Sequence, residues 1–502
     1  MENSEIGTAW WYHNGTMHPN GYLLDRAYRY HPSRRPTPFK VYPRSARTDL
    51  CLEGRQSTVS AIEAISTREH ADRGSVPDIG LVSKILYFSC GITKSIDFGP
   101  PVGRIDFRAA SCTGALYHIE AYLVCSDLAG LGAGVYYYEP KGNTLCLLRS
   151  GNHMGVIDDA TADETFASRS PAVLVFTDIF ARNSVKYQAR EYRHAFWDSG
   201  TILANAMATS AAYKVPYRLL MGFWDERISG LLGIDWRNEG AVALLALGNT
   251  DYGSRAIPPM GDVPKAPPPE YTSEFPAIAQ MHEASSLHGP GEVASWRCGH
   301  LLQPRHGSGV EEPCKVTARG LPLEETIIRR GSTRKFSHES ITADQLTNVL
   351  WSSITGIPCD LQLQGTICDM YLIANAVEGL SPGSYFYDKT DGMLAVLQEG
   401  CMRDVSGHLG LDQDLAYDSA ATVFFMSDLQ HVLEAFGNRG YRVAQMDASI
   451  TAGRMYLAAY ALDIGATGLT FYDNEVTEFF SPHAERKSVM FMLAIGKKER
   501  KR

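Results

Sequence analysis

The chain has 502 residues, with 47 Lys and Arg against 56 Asp and Glu, a net charge of −9 and 44% hydrophobic residues. Such a chain can bury a large core, which excludes the disordered, collagenous and disulfide-scaffold classes. An acidic chain without a basic stripe is not expected to bind nucleic acid. Residues 1–50 read as a Pro/Arg/Tyr-rich extension of irregular structure, and MENSEIGTAWWYHNG lacks the layout of a signal peptide. An early helix follows at Leu81–Phe88, then an apolar strand, AYLVC, and alternating short strands around GVYYYEP. GLGAG (Gly130–Gly134) resembles half a dinucleotide fingerprint, but a strand follows it rather than a helix, so it is read as a turn. PAVLVFTD is a continuous apolar run expected in a sheet covered on both faces. AFWDSGTILANAMATSAAYK is a long small-residue helix, and AVALLALG a last strand. Residues 251–320 hold ten of the 25 Pro and read as a linker or wrapping arm. The elements then recur: a helix at Ala343–Ser353, MYLIA, GSYFYDK, AATVFFMS, the helix AQMDASITAGRMYLAAYALD closed by Gly465, and VMFMLAIG.

That recurrence is a diverged repeat. Ile119–Gly151 aligns without a gap on Cys368–Gly400 at an offset of 249, with ten of 33 positions identical, Tyr122/Tyr371 and Gly134/Gly383 among them. The offset carries on to Arg190/Arg439, Tyr192/Tyr441, Arg193/Arg442 and Asp198/Asp447. Length alone suggests roughly three domains; the repeat replaces that with one unit present twice. The expected division is an extension at 1–50, a first domain at 51–250, a Pro-rich linker at 251–320 and a second domain at 321–502. Residues kept in both halves, such as Arg190, Tyr192, Arg193 and Asp198, are read as an ion-pair and helix-start cluster rather than as catalysts. His153, His194 and His431 have no metal-ligand spacing, and the ten Cys form no Cys-x-x-Cys pair. No metal is expected, and reduced thiols fit a cytoplasmic protein. No segment is apolar enough to suggest a membrane span.

The sharpest cationic cluster is IIRRGSTRKF, where Arg329, Arg330, Ser332, Arg334 and Lys335 gather four cations and a hydroxyl. Arginine forks suit phosphate, and a Ser adds a donor. Arg-Arg-x-Ser-x-Arg resembles the FMN-phosphate motif of the flavin-dependent nitroreductase superfamily. FRAASCTGALYHIEAYL (Phe107–Leu123) resembles the Ser-x-Gly-Ala-Leu-Tyr loop of its azoline-oxidising branch, the SagB/ThcOx-type dehydrogenases. LAGLGAGVYYYEP, VEGLSPGSYFYDK, VKYQAREYRHAFWDSG, WYHNGT and PFKVYP resemble further segments of that branch, so the resemblance spans nearly everything but the linker.

The resemblance implies an α+β fold of two tandem nitroreductase-like domains forming an intramolecular pseudo-dimer, with FMN bound between them. The halves depart from the family pattern in complementary ways. Half one has AISTREHADRG, with only Arg68 and Arg73, where the Arg motif belongs; half two has the shorter PCDLQLQGTIC where the Ser/Gly loop belongs. One competent site per chain is therefore expected. It would combine Arg329, Arg330, Ser332 and Arg334 with Ser111, Thr113 and Gly114, and Lys497 and Lys498 would add cations after the last strand. Lys186 and Tyr187, replaced by Ala435 and Phe436 in half two, match the branch's catalytic Lys-Tyr pair. Ring oxidation needs a base for the Cα proton while hydride leaves Cβ, and a Tyr phenol needs a nearby cation to fill that role near neutral pH. The implied function is FMN-dependent oxidation of a thiazoline or oxazoline, or of a similar saturated C–N or C–C bond, in a peptide-derived natural product, with oxygen reoxidising the flavin. A cyclodehydratase or peptide synthetase would be the partner. An NAD(P)H-dependent nitroreductase or quinone reductase is the alternative, and a non-enzymatic peptide-recruiting protein a third.

Overall fold

The computed structural model describes residues 2–31, 34–52, 54, 56–67, 76–100, 103–250, 255–267, 274–298, 320–361, 363 and 365–499. Arg68, Arg73 and most of the second half of the linker lie outside them. The fold is α+β, with one large antiparallel sheet in each half and a two-stranded ribbon, Ile92–Asp97 with Arg104–Arg108, in half one. The first runs Arg47–Asp49, Thr144–Ser150, Gly134–Glu139, Ile119–Cys125, Ala172–Ile179, Glu239–Leu247 and Tyr217–Leu220. The second runs Leu394–Glu399, Gly383–Tyr387, Asp369–Ala374, Ala421–Ser427, Ser488–Gly496 and Gly465–Leu469. The order is the same apart from the edge strand Arg47–Asp49, which the N-terminal extension adds. Apolar runs occupy the middle of each sheet: every residue of Ala172–Ile179, Glu239–Leu247 and Ala421–Ser427 is buried. Side chains alternate across the strand. Leu123 and Cys125 therefore join the core under the long helices, while Tyr122 and Val124 pack on the opposite face with Ile228 and Leu231.

The long helices Glu191–Ala212 and Arg439–Ala461 pack against each other where the halves meet. Their small residues are needed at the crossing. A Cβ on Gly200 would lie 1.9 Å from Ser449 Oγ, and one on Gly453 would lie 2.7 Å from Ala204 Cβ. Positions 200 and 449, and 204 and 453, are each 249 apart, so the crossing falls on the same residues of both halves. Ion pairs are exchanged in the same way. Arg190 and Arg193 pair with Asp473 at 2.9 and 2.6 Å, and Arg439 and Arg442 pair with Asp225 at 2.7 and 2.8 Å. Each half supplies two guanidinium groups to one carboxylate of the other, and all are buried.

Three local expectations change. The N-terminal extension is not wholly irregular: Gly7–Gly15 is a helix because its WWYH run supplies a face to bury. Tyr12 Oη donates to Ala189 O at 2.5 Å and Ala9 N to Asn438 Oδ1 at 2.9 Å, so this helix ties both halves together. The Pro-rich linker carries two helices, Pro276–Ala284 and Pro290–Cys298, and buries Met281, Leu287, Val293 and Trp296. Proline at the first helical position needs no hydrogen-bond partner, so it opens these helices rather than breaking them. Gly465 does not close a helix. The helix ends at Ala461, Asp463 turns the chain with φ +57°, and Gly465 begins an edge strand. A Cβ there would lie 2.3 Å from Thr333 Oγ1, so the glycine admits the neighbouring segment.

Candidate active site

A cleft of about 320 Å³ opens between the halves. Half one contributes Ser111, Cys112, Thr113 and Gly114 from a loop, Lys186 and Tyr187 from the end of the helix Phe180–Tyr187, and His194, Trp197, Asp198 and Thr201. Half two contributes Ser332, Arg334, Tyr456, Phe491 and the backbone of 467–470. Seven of the expected site residues thus meet here: Ser111, Thr113, Gly114, Lys186, Tyr187, Ser332 and Arg334. Arg330 is adjacent and half-buried, donating Nε to Ala109 O at 2.9 Å and Nη2 to Arg108 O at 3.3 Å, so it clasps the base of the half-one loop. The other three turn elsewhere. Arg329 is exposed and pairs with Glu325, Lys497 with Glu339 at 3.8 Å, and Lys498 with Asp463 at 3.3 Å.

The loop needs unusual backbone. Gly114, Ala115 and Tyr117 all have positive φ, +62°, +53° and +50°; such values cost energy outside glycine and need support from their surroundings. Asp198 gives it, accepting from Thr113 N at 2.8 Å and Thr113 Oγ1 at 2.9 Å. Asp198 is therefore not in an ion-pair cluster with Arg190 and Arg193 but in the cleft wall. A Cβ on Gly114 would lie 2.9 Å from Tyr187 Oη and 3.4 Å from Lys186 Nζ, which puts both functional atoms against this glycine. Tyr187 stands edge-on to His194 at 4.5 Å. The N-terminal extension covers this corner: Tyr28 Oη donates to Val185 O at 2.5 Å, Arg35 Nη2 to Ala115 O at 2.9 Å, and Lys186 Nζ lies 5.9 Å from the Tyr30 ring.

The electrostatics act on the two side chains in opposite directions. Burial raises the Tyr187 pKa, and the Asp198 carboxylate and Cys112 raise it further, despite Lys186 Nζ lying 5.1 Å from its ring centre. Burial and the Asp198 carboxylate thus favour the neutral phenol over the phenolate. Lys186 moves the other way: burial lowers its pKa, and the Arg334 and Arg35 guanidinium groups lower it further. A lysine in such surroundings releases its proton more readily and can act as a base.

The cleft suits a planar anion. Arg334 is exposed and, among the described residues, neither it nor Lys186 makes an ion pair. Ser332 contacts the Tyr456 hydroxyl, and the Trp197 and Phe491 rings, packed edge to face with centroids 5.4 Å apart, form one aromatic side of the cleft. Gly468 keeps the floor low, since a Cβ there would meet the Phe491 ring at 3.0 Å. Cationic donors, a hydroxyl, aromatic surface and a glycine in the lining are groups that a flavin phosphate and ring can use, so FMN fits the residues present.

The corresponding place across the molecule is filled by the chain itself. Leu219 N donates to Pro358 O and Asp360 N to Leu219 O, both at 2.9 Å, and Asp360 accepts from Met221 N and Gly222 N. Trp296 from the linker lies against Gly222 and donates to Phe436 O at 2.8 Å, where Phe436 stands 249 residues from Tyr187. The shorter half-two loop therefore pairs directly onto the strand Tyr217–Leu220.

Residues 327–497 match the model of the nitroreductase family. A protein of Methanocaldococcus jannaschii described as a nitroreductase is 22% identical over 186 residues, 36% of this chain and 92% of its own length. The microcin B17-processing protein McbC of Escherichia coli is 24% identical over 143 residues, 28% of this chain, which spans about half (53%) of McbC. The crystal structure of an Anabaena variabilis protein described as a nitroreductase superposes on 98% of this chain and 99% of its own, with a TM-score of 0.75 and 22% identity. The chain thus has a nitroreductase fold across nearly its whole length and carries, over residues 327–497, a domain of the nitroreductase family.

Proposed function

We propose that this protein is an FMN-dependent oxidase that converts a thiazoline or oxazoline of a peptide-derived product into the aromatic azole. The observation that carries the reading is the cleft in which Ser332 and Arg334 of half two face Ser111, Thr113, Gly114, Lys186 and Tyr187 of half one. The likeness to McbC, a microcin B17-processing protein, supports it. When bound, FMN supplies the hydride acceptor, and oxygen then takes the two electrons to give hydrogen peroxide. Lys186, as the neutral amine, takes the Cα proton while hydride leaves Cβ, so the substrate loses two hydrogens and gains one double bond. Tyr187, kept as a phenol, donates a hydrogen bond to the ring or its carbonyl and orients it. Arg334 and Ser332 hold the phosphate, and Arg330 keeps the two halves in register there.

We read one FMN per chain, because Trp296, Asp360 and the 358–361 segment fill the counterpart place. On this reading the domains are 51–250 and 321–502, arisen by duplication, with 251–320 as a clamp as much as a linker. A cyclodehydratase or peptide synthetase remains the partner we propose. The nine described cysteines are free thiols, which supports a reducing, cytoplasmic setting. Among the described residues no helix is long and apolar enough to cross a membrane. Purified protein should show a flavin spectrum at one FMN per chain and convert a peptidyl thiazoline to a product two hydrogens lighter. Two FMN per chain would overturn the single-site reading. Rapid bleaching by NADPH with no change to the thiazoline would favour an NAD(P)H-dependent nitroreductase or quinone reductase instead.

A further inference from the structure

Behind the cleft lies a buried cluster that the proposed chemistry does not use. His118 sits between two carboxylates, with Nδ1 2.6 Å from Asp178 Oδ1 and Nε2 2.7 Å from Asp198 Oδ2. Glu191 Oε1 is 3.6 Å from His118 Nδ1. All four side chains are almost wholly buried, and Asp178 Oδ2 and both Glu191 oxygens have no hydrogen-bond partner among the described residues. Buried carboxylates of this kind are costly and need a reason to be kept.

The other half serves as an internal control. At positions 249 residues on, His118, Asp178 and Glu191 become Ile367, Ser427 and Gly440, so all three titratable groups are absent together. They are absent in the half that also has Ala435 and Phe436 in place of Lys186 and Tyr187. Asp198 alone persists, as Asp447, which accepts from Cys368 N at 2.9 Å, and no histidine among the described residues acts on its carboxylate. An aspartate that only anchors a strand entry therefore needs no histidine behind it. The additional His–Asp–Glu set goes with the half that carries the lysine, the tyrosine and the positive-φ loop.

We propose that His118, gripped by Asp178 and Asp198, is a positioning residue that locks Asp198 onto Thr113 and so holds the Ser111–Gly114 loop against Tyr187 and Lys186. This rests on the cleft being the reacting site. Physically, an imidazolium between two carboxylates fixes its own ring plane and fixes the Asp198 oxygens that receive Thr113 N and Oγ1. Burial, and after it the Asp178 carboxylate, push the Glu191 carboxyl well above the usual carboxyl range. Cys112 and His118 could also ligate a metal with Asp198, as could His118 with Asp178 and Glu191, and the experiment separates that possibility.

The holoprotein would be compared as wild type, His118→Gln, Asp198→Asn and Asp447→Asn. The readouts are amide hydrogen exchange, flavin content, metal content, and kcat and KM on a peptidyl thiazoline. Exchange over 110–117 should accelerate in His118→Gln and Asp198→Asn with flavin retained, while kcat falls on the order of 100-fold and KM changes little. Asp447→Asn should loosen 366–369 only and leave kcat unchanged. Should His118→Gln not fold, Asp198→Asn decides alone. Unchanged exchange over 110–117 in both variants would overturn the inference, as would a stoichiometric divalent metal in the wild type that is lost in His118→Gln. Absence of flavin or turnover in the wild type would instead sink the proposed function, and the exchange comparison would still decide the role of His118.

Discussion

The buried charge exchange between the halves gives the sharpest stability prediction. Asp473→Asn keeps the shape of the side chain and removes its charge. Arg190 and Arg193 then lie buried at 2.9 and 2.6 Å from a neutral amide instead of a carboxylate. Breaking a buried pair from one side costs about 3–5 kcal/mol, because the partner is left as an uncompensated charge. Two arginines share this one carboxylate, so the upper end of that range is expected. A typical net stability is about 5–15 kcal/mol, so the loss is a large fraction of the whole. Asp225→Asn removes the same contact from the other side, for Arg439 and Arg442, and should cost a similar amount. The assay is urea denaturation followed by tryptophan fluorescence, with the shift in midpoint at constant slope as the readout. The pH dependence has a definite sign. Burial alone would raise the Asp473 pKa, but Arg190 and Arg193 outweigh it and hold it well below the usual 3.8. Its contribution is therefore complete above that value, and it is lost as pH falls from there toward the depressed folded value. Asp473→Asn should be less sensitive to acid over that window than the wild type. A loss under about 1 kcal/mol in either variant would mean that the pairs are worth no more than exposed ones, and would refute the reasoning.

Lys186→Ala and Tyr187→Phe should retain FMN but lose oxidation, and unchanged turnover in both would remove their assignment. A base must be neutral, so turnover should rise with pH along a limb whose midpoint lies below the ordinary lysine value of 10.5, as burial, Arg334 and Arg35 require; a flat profile there would count against Lys186. Gly114→Ala combines a strained positive φ with a Cβ 2.9 Å from Tyr187 Oη; it should displace Tyr187 and lower kcat on the order of 100-fold while the protein still folds. Arg334→Ala should weaken FMN retention about 10- to 100-fold, the worth of one charge-assisted hydrogen bond, measured by equilibrium dialysis, whereas Arg329→Ala should leave it unchanged.

The order of elements was legible in the chain because it depends on local patterning: apolar runs such as PAVLVFTD and small-residue helices such as AQMDASITAGRMYLAAYALD sit where they were expected. The 249-residue offset was equally plain, since it is a comparison of the chain with itself. Local signals misled where proline and glycine carry two meanings. Pro276 and Pro290 start helices inside the segment whose composition reads as a linker or wrapping arm, and Gly465 admits Thr333 rather than stops a helix. Proximity across hundreds of residues was beyond the sequence. It offered Arg329, Lys497 and Lys498 on the same terms as Arg334, because adjacency in the chain does not say which way a side chain turns. It gave no reason to select His118, and it set Asp198 among structural residues because that position recurs. The signal that could have found the cluster was present as a triple loss: His118, Asp178 and Glu191 against Ile367, Ser427 and Gly440. Only the tertiary structure decided that Tyr187 lies half-buried near Asp198 while Lys186 lies near Arg334 and Arg35. Charges act through space, so the sequence could pair the lysine with the tyrosine, but the fold determined which charged groups face each of them.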